Sequence, residues 1–234
     1  MREQERIRSL SSKSDLVCGN IAIGGSSFFF DSVILNTIIS LQSRYPELII
    51  TAKENDTINL FPMVRDKKIN IGVVLYSHVD KEAYEEKIRY YRLNSTEVLE
   101  DDMIFLVGKN HPLASRGEVP LKEILKYPLA LKKSPFQELA LAMFQKTNAD
   151  CDVLFLDDYS SLWKIAAIAN KTILSPYIIY KNEKAEDKNL AAVRIADLEY
   201  KYSLCFVHNE SEYSVAEKSV VEEMRQQCIL MNRQ

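Results

Sequence analysis

The sequence predicts an α/β protein built on parallel sheet with helices on both faces, and three observations lead there. Short apolar runs alternate with stretches whose apolar residues recur at three- and four-residue spacing. Clusters of Gly, Asn, Asp and Pro punctuate the alternation. The second half of the chain repeats the order of the first, and strand–helix–strand units of about 30 residues close into parallel sheet by crossover connections.

The first unit opens at Asn20–Ile23, an apolar run closed by Gly24-Gly25-Ser26-Ser27. Ile34, Ile38, Leu41 and Tyr45 then share one helix face, and Tyr45-Pro46 ends that helix because the residue before proline is driven out of the α region. Leu48–Ala52 reads as a strand and Glu54-Asn55-Asp56-Thr57 as polar turn chemistry. Leu60 and Val64 lie four apart on a second helix, in which Pro62 is a misfit expected to kink it or delay its start. Ile69–Leu75 is a continuous apolar strand of the kind buried on both faces. Ligands of such sheets collect at the carboxyl ends of the strands.

A charged, Tyr-rich stretch follows at Lys81–Tyr91, then a strand at Met103–Val107 and a short helix at Leu121–Leu125 before Tyr127-Pro128. Leu129–Leu131 and Val153–Leu156 read as strands, Glu138–Lys146 and Leu162–Ala169 as helices, the latter carrying Trp163. Ile173–Tyr180 is strand and turn, Lys181–Asn189 a solvated loop, Ser203–Val207 a strand, and a C-terminal helix starts near Val215. At the other end, Arg2–Lys13 reads as the end of a charged helix running into a serine-rich linker.

Composition narrows the function classes. With 234 residues, 47% of them hydrophobic and 27% charged, the chain buries enough surface for one large domain or two small ones. Lys plus Arg is 30 against 33 for Asp plus Glu, so the net charge is −3 and the basic excess of a free-standing DNA-binding domain is missing. No apolar stretch reaches the ~18 residues a membrane helix needs, and Met1–Leu10 is charged rather than apolar, so the expectation is a cytoplasmic protein. Cys18, Cys151, Cys205 and Cys228 are scattered, away from the histidines, and read as reduced thiols with no metal site and no cofactor.

The succession resembles the effector-binding domain of LysR-type transcriptional regulators. The residues that carry the likeness are Gly19-Asn20-Ile21-Ala22-Ile23-Gly24; Arg44-Tyr45-Pro46-Glu47-Leu48; Thr57 with Leu60 and Val64 before Ile69-Asn70-Ile71; and Met103–Val107 leading into His111-Pro112-Leu113-Ala114 and Arg116. The resemblance implies two Rossmann-like subdomains joined by crossover strands, a periplasmic-binding-protein-like (type 2) architecture with a small molecule in the interdomain cleft. It implies residues 1–18 as a linker-helix remnant, 19–98 plus about 199–234 as subdomain I, and 99–198 as subdomain II. It also implies a homodimer or tetramer, with DNA touched only through a winged helix-turn-helix outside this sequence. Departures from the family pattern are Lys67 in place of Gly, Asn70 in place of Asp, and the loss near Ala169 and Lys171 of the family's Gly-x-Gly pattern; Asn170 tolerates the left-handed conformation a helix end needs.

The candidate ligand-binding residues lie at strand ends: Ser26 and Ser27, Thr57, Lys132 with Lys133 and Ser134, and Ser160 with Ser161. Capping the helix that follows is the competing role of each serine or threonine, with strand-end position favouring ligand contact at Ser26 and Ser27, and a lysine pair on a loop is more often a solvated face. Glu54 and Asp56 repel a carboxylate if they face the cleft, so they are expected to point outward unless the ligand carries a cation. One of Phe28, Phe29 and Phe30 is expected to line the cleft or an interface. His111 has no nucleophile or metal cluster beside it in the sequence and reads as a strand exit. The reading is therefore a non-enzymatic sensor of a small polar or anionic effector. The alternatives are a transporter's solute-binding protein, an enzyme using the cleft, and a dimerisation module whose cleft has degenerated.

Overall fold

In the computed structural model the described residues are 17–26, 29–132, 140, 141, 144, 152–182, 184, 185, 187–209 and 213–233. The readings made for Arg2–Lys13, Ser27, Phe28, Lys133, Ser134 and most of Glu138–Lys146 lie outside them.

Strand β1 (Gly19–Gly25) buries its apolar end, and a Cβ on Gly25 would run into Ile34, so the glycine lets the following helical segment lie close against the strand. That segment begins as a π-helical stretch, Phe30–Leu35, and continues as α1 (Asn36–Arg44), with Ile34 and Leu41 turned into the core and Tyr45 closing the last turn. Strand β2 (Leu48–Glu54) leads into α2 (Thr57–Arg65), whose start is not delayed: Pro62 sits inside the helix. β3 (Ile71–Ser77) is buried along its whole length, as a strand covered on both faces must be. Lys67, between α2 and β3, takes φ 54°, the left-handed conformation that explains a family preference for glycine there.

The charged stretch after β3 becomes α3 (Lys81–Tyr91), which docks Tyr84 against Tyr76 and Phe61. Strand β4 (Asn94–Gly108) is longer than the predicted Met103–Val107 and serves two sheets. Its first part pairs antiparallel with β10 (Lys201–His208), which in turn pairs with β3; its last part pairs with β8 (Thr172–Pro176) on one side and β9 (Leu190–Ile195) on the other. The first sheet therefore runs β2-β1-β3-β10-β4. The second runs from β4 through β8 and β6 (Leu129–Lys132) to β7 (Val153–Leu156), with β9 and β5 (Glu118–Val119) on the far side of β4. Parallel pairing of β1 with β2 and β3, and of β6 with β7 and β8, confirms the crossover reading.

Further helices among the described residues include α4 (Leu121–Ile124), α5 (Tyr159–Ile168), α6 (Tyr177–Asn182) and α7 (Val215–Arg233). Residues 177–180, predicted as the end of a strand and turn, are the first turn of α6 because β8 stops at Pro176. Helix α5 ends at Ala169, and Asn170 takes φ 50°. α7 returns to the first sheet and packs on α1, where Arg44 pairs with the largely buried Glu223. Among the described residues no helix is long and apolar enough to cross a membrane, and Cys18, Cys205 and Cys228 are free thiols.

Candidate functional site

The parallel ladder sets Gly25 opposite Glu54, and the Asn55 amide donates to the Gly25 carbonyl at 2.9 Å. Ser26 and Asn55–Thr57 therefore leave the first sheet at the same carboxyl edge. The Ser26 carbonyl accepts from the Phe29 amide at 3.1 Å, but its hydroxyl is buried without a hydrogen-bond partner among the described residues. An orphaned buried hydroxyl costs about 1–3 kcal/mol, a cost that a bound polar group removes.

Asn55 organises the second turn: its side-chain oxygen accepts from the Asp56 amide at 3.0 Å and from the Asn59 amide group at 2.8 Å. Asp56 occupies the cap position of α2 yet makes no capping bond through its side chain, and Thr57 is the first helical residue, half-buried. The freed Asp56 carboxylate faces the other sheet. There β6 ends in Lys132, whose side chain is only 15% exposed and whose Nζ lies 3.9 Å from Glu54 and 4.0 Å from Asp56. Of the two alternatives left for Glu54 and Asp56, pointing outward or facing the cleft with a cationic ligand, the geometry favours the second: both lie within 4.0 Å of the Lys132 ammonium. These separations exceed a hydrogen bond, so the attraction is coulombic and the carboxylate oxygens remain able to accept.

Beside β6, the parallel strand β7 hands the chain to α5. Asp158 caps that helix, accepting from the Ser161 amide and the Ser160 hydroxyl, both at 2.8 Å, and hydrogen bonding from the Ser161 side chain, the Ser161 amide and the Ser160 hydroxyl pulls its carboxyl down to about 2. Ser160 and Ser161 are accordingly engaged in the cap, Ser160 exposed and Ser161 half-buried. Of the residues predicted from sequence, the structure brings Ser26, Thr57 and Lys132 to facing strand ends, and it places Ser160 and Ser161 one strand further out.

The sequence reading missed Asp101. It sits where β4 leaves the first sheet, and its carboxylate accepts from the Ile178 amide at 2.7 Å and the Tyr202 hydroxyl at 3.0 Å. Burial raises its pKa against the pull of those bonds. The only signal was an acidic pair, Asp101-Asp102, set directly against the apolar run of a strand. Phe29 is fully buried against Tyr202, so it belongs to the core, while Phe30 is half-buried.

His111 is remote from this constellation. It follows the end of β4, which runs antiparallel to β8 and therefore ends at the edge of the second sheet opposite Lys132. Its Nδ1 accepts from the Leu113 amide at 3.1 Å, its ring lies 4.5 Å from that of Tyr127, and burial pushes its pKa down. A second histidine, His78, bonds Ser203 at 3.0 Å, but Ser203 is fully buried within the sheet and unsuited to attack a substrate. Among the described residues no group of three or more His, Cys, Asp or Glu could hold a metal ion.

Known proteins share this fold. The effector binding domain of QuiR in complex with shikimate superposes with a TM-score of 0.68 at 13% identity, over 89% of this chain and 96% of that one. HinK, a LysR family transcriptional regulator from Pseudomonas aeruginosa, does so with a TM-score of 0.71 at 13% identity, over 97% of this chain and 75% of that one. A curated relative in Bacillus subtilis (strain 168), the uncharacterized HTH-type transcriptional regulator YvbU, is 22% identical over 139 residues, which make up 59% of this chain and 44% of that protein. The match spans less than half the length of that relative. The model of the LysR substrate binding domain matches residues 14–229, taking in both sheets and the long strand that links them. This chain belongs to the LysR substrate-binding domain family, the ligand-sensing part of LysR-type regulators.

Proposed function

We propose that this chain senses a small polar effector in the gap between its two sheets and passes the event to a DNA-binding domain through a change in how protomers pack. The reading divides the chain into 19–98 plus about 199–234 against 99–198, and β4, which pairs with β10 in the first sheet and with β8 and β9 in the second, supports it. On this reading Ser26 and Thr57 belong to one wall and Lys132 to the other, with Ser160 and Ser161 one strand further out. The observation that carries the reading is the meeting of Lys132, at the carboxyl end of β6, with Glu54 and Asp56, at the carboxyl end of β2. The chain works in the cytoplasm as a homodimer at least, without catalysis, and an attached helix-turn-helix makes the contact with DNA. The effector must favour one arrangement of the lobes, since equal affinity for both shifts nothing.

The test is a thermal-shift survey of a metabolite library against this chain, followed by Ser26→Ala and Ser27→Ala in the intact regulator. The sensing role predicts a compound that raises the melting temperature and a transcriptional response to it that weakens in the serine variants. No stabilising compound, together with an unchanged response, would overturn it.

A further inference from the structure

The inference drawn here rests on that cleft and names the chemistry of its occupant. We propose that the cleft takes a small zwitterion, a molecule bearing an ammonium and a carboxylate on one short skeleton, in preference to a simple carboxylate or amine.

Three charged groups converge from two sheets. Lys132 is 15% exposed, whereas Glu54 and Asp56 are 52% and 41% exposed and so present their oxygens to an arriving molecule. At 3.9 and 4.0 Å the ammonium attracts both carboxylates without a hydrogen bond to either. The Asn55 side-chain oxygen already accepts from Asn59 at 2.8 Å and from the Asp56 amide at 3.0 Å, so the negative charge of this turn comes from the two acidic side chains.

A simple carboxylate drawn to Lys132 comes within range of Glu54 and Asp56 and is repelled. A simple amine drawn to those carboxylates meets Lys132 and is repelled in turn. A zwitterion exchanges the cross-sheet attraction for two pairings of its own, so neither of its charges loses hydration uncompensated. The orphaned Ser26 hydroxyl, at the same carboxyl edge of the first sheet, is a further donor for the ligand's polar end. The same exchange releases the lobes from their own ion pairs and replaces those by bridging contacts through the ligand, so the latch and the ligand site are one set of residues.

The experiment is calorimetric titration of this chain with matched probes: 4-aminobutyrate, butyrate and butylamine, and alanine, propionate and ethylamine. The expected result is at least one amino acid binding about tenfold or more tightly than both of its partners. In E54Q/D56N that preference disappears, the carboxylate then binding as well as the amino acid. Lys132→Gln weakens amino acid and carboxylate while sparing the amine. The unliganded melting temperature of each variant reports its folding, and Glu54 and Asp56 are exposed enough to be replaced without loss of core. A carboxylate or amine that binds as tightly as its amino acid overturns the proposal, as does a preference that survives E54Q/D56N. If instead a sugar or simple carboxylate from the metabolite library binds and is lost in Ser26→Ala or Lys132→Gln, the cleft reading stands and the zwitterion falls. If nothing binds at all, both fall.

Discussion

Asn70 shows how a single departure from a family pattern is accommodated. Its side-chain oxygen accepts from the Ala22 amide at 2.8 Å while its Nδ2 donates to the Glu217 carboxylate at 3.1 Å. Glu217 is the third residue of α7 and part of a capping box: its other oxygen accepts from the Ser214 amide at 2.8 Å, and the Ser214 hydroxyl accepts from the Glu217 amide at 3.2 Å. An aspartate at position 70 keeps the bond to Ala22 but sets a carboxylate against Glu217. Asn70→Asp is therefore expected to cost about 1–2 kcal/mol at neutral pH, read as a lower urea midpoint, with Glu217→Gln in the same chain recovering most of it. A loss that Glu217→Gln does not recover would place the cause elsewhere. Such pairings explain what the sequence could and could not disclose at this scale. A serine after a glycine pair at the end of an apolar run marks the carboxyl edge of a strand, so Ser26 was legible. The direction of Asp56 was not, because it depends on Lys132, which arrives from another sheet 76 positions later.

Among elements, those buried on a regular face were readable and those shared between lobes were not. β3 announced itself as an unbroken apolar run, and α1 by Ile34, Ile38, Leu41 and Tyr45 on one stripe. The first part of β4, Asn94–Asp102, is dense in charge because it crosses between sheets with one side toward solvent, so only its apolar end read as strand. β9 escaped notice because it packs beside β4 at the end of a polar loop. The close approach of α5 to β4 is set by Gly108: a Cβ there would lie 2.9 Å from the Ala166 carbonyl oxygen and 3.0 Å from that of Ala167. These are backbone atoms of the helix and cannot rotate away. Gly108→Ala is thus expected to shift α5 bodily at a cost of about 1–3 kcal/mol, measurable by urea unfolding. An unchanged midpoint would mean that the helix slides along the sheet freely, which the packing of Leu162 and Ala166, both fully buried, argues against.

At the scale of the whole molecule, the first sheet ends in β2 and the path through the second ends in β7, and an open strand edge beside exposed apolar side chains invites pairing. Near β2 stand Ile39, 68% exposed on α1, and Ile49, 60% exposed on the strand itself. On the other lobe Ile168, at the end of α5, is 83% exposed and Phe155, on β7, 41%. One patch on each lobe is what a two-fold dimer needs, because the patch of the first lobe then meets that of the partner's second lobe, and the same contact forms again by symmetry. In the proposed dimer this geometry would couple the cleft to assembly, since any movement of one lobe against the other changes the spacing of the two patches on a protomer. The proposed homodimer therefore predicts that the chain sediments at twice its monomer mass, and that Ile39→Glu and Ile168→Glu each shift it to monomer while leaving the far-ultraviolet spectrum unchanged. A charge on either patch is sufficient, because each patch takes part in both copies of the contact. A chain that sediments as monomer at high concentration would remove the dimer; a dimer that survives both variants would keep the assembly but place its interface away from these edges.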